Sequence, residues 1–268
     1  MVTAPQQPSP LPRPALDAHT HLDMISLPVG QVVASARAAG IERMITVGTT
    51  LESSRWSARC AAGHDAVYAA VAIHPNDTAP VDSDRAAVLG EIELLAGSPR
   101  VVAVGETGLD YYRDHAPPDV QRWWFREHIA MAKRAGKALM IHDREAHADV
   151  LRILEEEGAP DRVVFHCFSG DVAMVKQCAE AGYVMSFAGN VTFGNAGPLR
   201  DAAAAVPPDL LLAETDAPFL TPAPNRGKPN EPALVADTLR CLAEVKGMDL
   251  AALCDAVTAT ASRTFGPW

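Results

Sequence analysis

Five of the nine histidines in this chain sit in short motifs that each close an apolar run. The motifs are Asp17-Ala18-His19-Thr20-His21, Ile73-His74-Pro75, Gly105-Glu106-Thr107, Ile141-His142-Asp143, Phe165-His166-Cys167 and Glu214-Thr215-Asp216. Imidazole and carboxylate donors of this kind hold divalent cations. Successive side chains of a strand alternate faces, so His19 and His21 point the same way, with Asp17 beside them. Two imidazoles about 6.5–7 Å apart along one strand can converge on a single ion. The same parity turns His166 and Phe168 inward and Cys167 outward, where it packs. An all-nitrogen, all-oxygen set suits zinc, manganese, cobalt, nickel or iron and admits magnesium. The six residues His19, His21, Glu106, His142, His166 and Asp216 are too many for one open tetrahedral ion. A two-metal site with one bridging carboxylate fits the count. A lone H-x-H, or one buried histidine, would be an ordinary packing feature; six such positions at strand ends together are not.

The elements that must position these residues alternate along the chain. Strands are expected at 15–19, 43–49, 67–74, 101–106, 138–142, 163–168, 183–188 and 210–216. Helices are expected at 30–39, 52–62, 82–96, 118–135, 146–157, 171–181, 196–205, 232–246 and 249–261. Strand–helix alternation means parallel pairing through right-handed crossovers. Eight such units point to the α/β class, as a single-domain (β/α)₈ TIM barrel spanning 15–268. In that fold chemistry sits at the C-terminal ends of the strands, which is where the histidines and carboxylates fall. No G-x-G-x-x-G follows the first strand, so a dinucleotide site has no support. Residues 1–14 hold five prolines without apolar periodicity and are expected to form an extended or disordered tail.

Composition narrows the partners. The formal charge of −10 argues against nonspecific adhesion to nucleic acid. Five scattered cysteines with no C-x-x-C read as reduced thiols, and a cytoplasmic location is expected. No membrane span, no secretory leader and no obligate protein partner are expected. His64, His115, His128 and His147 are read as solvated, and Trp123-Trp124-Phe125 as packing of an amphipathic helix against the barrel. Asp143 is a candidate carboxylate partner for a metal-bound histidine, and Glu231 for Arg226.

Taken together, the motifs resemble the TatD-type metal-dependent deoxyribonucleases. The resemblance rests on Asp-Ala-His-Thr-His-Leu-Asp at 17–23, Val-Gly-Glu-Thr-Gly-Leu-Asp-Tyr-Tyr at 104–112 and Ile-His-Asp-Arg-Glu-Ala at 141–146. It extends to His-Cys-Phe-Ser-Gly at 166–170, Glu-Thr-Asp-Ala-Pro-Phe-Leu at 214–220 and Asn-Arg-Gly-Lys-Pro-Asn-Glu-Pro at 225–232. It implies a (β/α)₈ fold and two divalent cations (zinc, magnesium or manganese). His19, His21 and Asp216 would hold one ion, His142 and His166 the other, with Glu106 bridging. It also implies hydrolysis of DNA phosphodiesters, often from the 3′ end of single strands. The chain departs from the family pattern at Ala72, where Gly-x-His-Pro is usual, and at Gly194, where many relatives carry lysine.

Phosphodiester hydrolysis needs an activated water and charge neutralisation, which two cations supply. Asp216 is expected to orient and deprotonate the water, with Glu106 as the other catalytic carboxylate. His74 is a candidate substrate contact or a shaper of the turn before Pro75. Arg113, Arg144, Arg226 and Lys228 could bind flanking phosphates, which would reconcile an acidic chain with a DNA substrate. The alternatives are a hydrolase of a small amide, lactone or phosphoester, and a non-catalytic barrel.

Overall fold

A computed structural model describes residues 4–113 and 115–266. Its elements run β1 (Ala15–Thr20), α1 (Val29–Ala38), β2 (Ile41–Val47), α2 (Leu51–Gly63), β3 (Val67–Val71), α3 (Arg85–Ala96), β4 (Val101–Asp110), α4 (Pro118–Ala135), β5 (Ala138–Arg144), α5 (His147–Glu157), β6 (Val163–Phe165), α6 (Val172–Glu180), β7 (Val184–Phe187), α7 (Gly197–Ala205), β8 (Leu211–Ala213), α8 (Val235–Lys246) and α9 (Leu250–Phe265). The strands hydrogen-bond neighbour to neighbour in chain order, from β1 to β8. This is the strand order of the (β/α)₈ class, and every expected strand and helix is present. No helix among the described residues is long and apolar enough to cross a membrane.

The elements fall into two units. One is Thr46–His166; the other joins the residues up to Ile45 with those from Cys167 onward.

In Thr46–His166, β3, β4, β5 and β6 pair in parallel. Every residue of β3 is buried, as expected of a parallel strand covered on both faces. The Thr50 hydroxyl accepts the Ser53 N–H while the Ser53 hydroxyl accepts the Thr50 N–H, so a capping box starts α2. Pro117-Pro118 opens α4, and left-handed Gly136 closes it. Between them Trp124, Phe125, Ile129 and Ala132 form the buried stripe. Trp124 and Phe125 thus pack inward as the periodicity predicts, while Arg85 lies 4.3 Å above the Trp123 ring. The strand β4 runs four residues beyond its expected end. Its register slips between Val104 and Thr107, and it then pairs again with β5 as far as Asp110↔Arg144.

In the other unit, β7 and β8 pair in parallel. A parallel bridge between Thr20 and Ala217 joins the end of β1 to the segment after β8. Asp171 caps α6 by accepting the Met174 N–H, and Asp249 caps α9 by accepting from Ala251 and Ala252. Of the proline-rich N-terminal stretch, residues 1–3 lie outside the described residues and 4–14 run without regular structure. Leu11 donates its N–H to Ala39 and is buried. Gln6 and Asn225 exchange two hydrogen bonds, backbone N–H to Oδ1 at 2.8 Å and Nδ2 to backbone O at 2.9 Å.

Candidate metal centre

Backbone hydrogen bonds fix the first ligand set. Asp216 N–H donates to His19 O at 2.9 Å and His21 N–H to Ala217 O at 2.8 Å. These bonds lock the H-x-H of β1 against the turn that follows β8. His19 Nε2 then lies 3.3 Å from His21 Nε2, and Asp216 Oδ1 lies 3.8 Å and 3.5 Å from the same two atoms. Donors bound tetrahedrally to zinc at about 2.0–2.1 Å stand roughly 3.3–3.4 Å apart, so this set fits a cation by its own spacing. Asp216 adopts φ +53°, a left-handed conformation that Asp tolerates better than most residues.

Asp17, on the same face of β1, is a brace. It is fully buried and accepts the N–H of Thr215 at 2.8 Å and the Thr215 hydroxyl. Burial pushes its carboxyl well above the usual range, against the pull of the Thr215 bonds. Asn230 Nδ2 donates to Thr215 O at 3.0 Å, holding the next loop to the same segment. The buried Glu214 accepts the Cys167 N–H at 2.7 Å through Oε1.

The second set is built on the irregularity of β4. A Cβ on Gly105 would lie 2.5 Å from the Met140 Cβ, and one on Gly108 would lie 2.1 Å from His142 O, with Gly108 at φ +133°. Only glycine allows β4 to approach β5 this closely on both sides of Glu106. The approach brings Glu106 Oε1 to 2.8 Å from His142 Nδ1, 2.8 Å from His166 Nε2 and 3.5 Å from His74 Nε2. Burial alone would raise the Glu106 carboxyl, but the imidazoles of His166, His74 and His142 outweigh it and hold the group well below its ordinary range. Burial depresses His74, with Glu106 opposing it. Burial also disfavours charge on His142, yet bonds to Asp110 and Glu106 leave it raised. The carboxylate stays ionised among nitrogen donors, which is what a cation ligand requires.

His19, His21 and Asp216 converge, as do His74, Glu106 and His142, and His166 reaches the second group through Glu106 Oε1. The His74 ring Nδ1 also accepts the Asn76 N–H at 3.0 Å, so it shapes the turn as well. Arg144 lies 4.0 Å above the exposed ring of Tyr112, and Arg226 lies 4.1 Å above Phe193. Arg113 is exposed.

Three expectations are corrected. Asp143 pairs with His147 Nδ1 at 2.7 Å; the carboxylate on His142 Nε2 is Asp110, at 3.2 Å. Glu231 takes hydrogen bonds from Gln7 and Ser35 while Arg226 stands on Phe193. His128, read as solvated, is fully buried against the Thr107 hydroxyl at 2.7 Å, because its side of α4 faces β4.

Asp110 is a further candidate residue of this site that the sequence reading missed. Its Oδ2 also accepts from Asn76 Nδ2 at 2.9 Å, and its Oδ1 accepts the N–H groups of Tyr112 and Arg113. Even spacing from Glu106 was the available signal.

The chain matches the family model described as TatD related DNase over residues 16–266. It is 47% identical to the "uncharacterized metal-dependent hydrolase TatD" of Mycobacterium tuberculosis, over 94% of this chain and 97% of that protein. It is 35% identical to the "3'-5' ssDNA/RNA exonuclease TatD" of Klebsiella pneumoniae, over 81% of this chain and 84% of that one. The crystal structure of YjjV, a TatD homologue from Escherichia coli, superposes with a TM-score of 0.87 at 27% identity. That match covers 94% of this chain and 97% of the other. With its two convergent sets of nitrogen and oxygen donors, this chain belongs to the TatD-related DNase family and is a metal-dependent hydrolase.

Proposed function

We propose that the protein is a deoxyribonuclease that hydrolyses phosphodiester bonds from the 3′ end of single-stranded DNA with two divalent cations. His19, His21 and Asp216 hold one ion, and His142, His166 and Glu106 hold the other, with His74 beside Glu106. Such ions supply Lewis acidity toward a phosphoryl oxygen and an activated water. Asp216 orients that water and accepts its proton. Its carboxylate lies 3.5 Å from His21 Nε2, on a backbone that the Asp216–His19 bond anchors beside β1.

The observation that carries a nucleic-acid substrate over a neutral amide or lactone is the pair of arginine–aromatic stacks. Arg144 on Tyr112 and Arg226 on Phe193 each present a guanidinium beside a flat ring. Phosphate binds the first component and an unpaired base stacks on the second. The name of the Klebsiella relative supports the same reading.

The test is cleavage of 5′-labelled single-stranded DNA by metal-stripped protein, with Mg²⁺, Mn²⁺ or Zn²⁺ restored. A His142→Ala/His166→Ala protein serves as the control. A metal-restored ladder of 3′-shortened products, absent in the control, is expected. Absence of cleavage with every metal, from protein shown to bind two ions, overturns the nuclease reading in favour of a small-molecule hydrolase.

A further inference from the structure

A cavity of about 420 Å³ lies between the turn at Ser169–Asp171, which enters α6, and the segment from Asn190 to Leu199, which leads from β7 into α7. This volume is within the roughly 300–1,000 Å³ range of small-molecule sites. Its wall combines an aromatic ring (Phe193), two carboxamides (Asn190 and Asn195), a hydroxyl (Ser169) and the apolar Leu199. The only charged residue among those lining it is Asp171. Asp171 Oδ1 accepts the Met174 N–H at 2.9 Å, which leaves Oδ2 as a further acceptor.

We infer that this cavity is a nucleobase subsite for an unpaired nucleotide of the substrate strand. The inference rests on the proposed nucleic-acid substrate and deepens it. A phosphate would meet the Asp171 carboxylate and no cation inside the cavity. A neutral base meets a ring to stack on, and carboxamides that both donate and accept at its edge. Asp171 favours bases that carry an exocyclic amine. A base-paired nucleotide has its edge occupied by its partner, so the cavity selects single strands. Arg226, exposed and 4.1 Å above the Phe193 ring, stands ready for the phosphate that flanks the bound base.

The wall is held in place before any ligand arrives. Arg200 Nη1 donates to Val191 O at 3.1 Å and Phe193 O at 2.7 Å, and Ala223 N–H donates to the Thr192 hydroxyl at 2.8 Å. A Cβ on Gly189 would lie 2.1 Å from Leu220 O. The segment that leads into the cavity wall therefore packs against the chain just beyond the Asp216 turn.

The experiment uses single-stranded oligodeoxynucleotides that each carry one abasic residue, moved stepwise from the 3′ end, with wild type, Phe193→Leu and Asn195→Ala. Both variants are first checked for wild-type Tm. The readout is the ratio of kcat/KM for the intact strand to that for the abasic strand. In the wild type one position should show a penalty of about tenfold or more, the scale of a base–aromatic stack. In Phe193→Leu that penalty should fall several-fold, and in Asn195→Ala it should shrink as an edge contact is lost. A position-independent ratio near one in the wild type, or an unchanged penalty in both variants, overturns the subsite while leaving the nuclease intact. Failure to cleave any strand with any metal removes the nuclease reading itself, and the subsite with it.

Discussion

The Nε2 of His142 lies 3.2 Å from Asp110 Oδ2, on the opposite edge of the ring from the 2.8 Å contact between Nδ1 and Glu106. A histidine gripped this way has its plane and tautomer set by the carboxylate behind it. Asp110 is itself held by Asn76 and by the N–H groups of Tyr112 and Arg113, so its position does not depend on His142.

Asp110→Asn should therefore weaken metal retention by about 10- to 100-fold, the usual scale for such outer partners, with little change in fold. Competition with a fluorescent chelator measures the affinity, and far-UV circular dichroism checks the fold. Unaltered metal affinity would show that His142 is positioned without Asp110.

His21→Ala removes a donor from the first ligand set and leaves the second intact. Elemental analysis should find bound zinc falling from two ions per chain to one. His142→Ala should also lose one ion, and the double variant both. If His21→Ala retained two ions, the assignment of His19, His21 and Asp216 to one cation would be wrong.

Metal removal should lower stability, because the ions bind only the folded ligand sets. At a free metal concentration of 1,000 Kd, one site contributes about 4 kcal/mol. Differential scanning fluorimetry with and without a chelator should show a Tm drop of several degrees. The drop should be smaller in His21→Ala, which has one site less to lose.

The buried His128 gives the stability a pH dependence. Its pKa is pushed down from 6.5 to about 3 by burial, so the folded chain keeps it neutral where the unfolded chain protonates it. The contribution is fully present above about pH 6.5 and is lost as pH falls from there toward 3. The slope is about 1.4 kcal/mol per pH unit. Urea unfolding of the metal-free protein between pH 4 and 6.5 should show this slope reduced by about that amount in His128→Asn. Parallel slopes in the two proteins would contradict it.

Gly108→Ala should be among the most damaging small substitutions. The new methyl would sit 2.1 Å from His142 O on a backbone at φ +133°. Strain and overpacking together cost about 2–5 kcal/mol, and relief requires β4 to leave β5 at His142. Chemical denaturation reads the loss, and reduced metal binding should accompany it.

The sequence by itself determined the element order and set six candidate donors at strand ends. Strand–helix alternation and side-chain parity are local properties, and a donor at a strand end is visible as a residue type next to an apolar run. The placement of His19 and His21 on one face followed from a period of two. What tertiary structure decided is everything that depends on the path of a neighbouring strand. Asp110 reaches His142 because β4 resumes its pairing with β5 after the slip and runs on to Asp110↔Arg144, past the end that the apolar run marks. Asp143, next to His142 in the chain, meets His147 because the chain turns from β5 straight into α5. His128 looked like a polar residue on a helix. It is buried because β4 offers the Thr107 hydroxyl to its Nδ1, and that pairing joins residues 21 apart. The stacking of Arg226 on Phe193 likewise comes from two loops joined by the packing of Gly189 against Leu220 and by the Ala223–Thr192 bond.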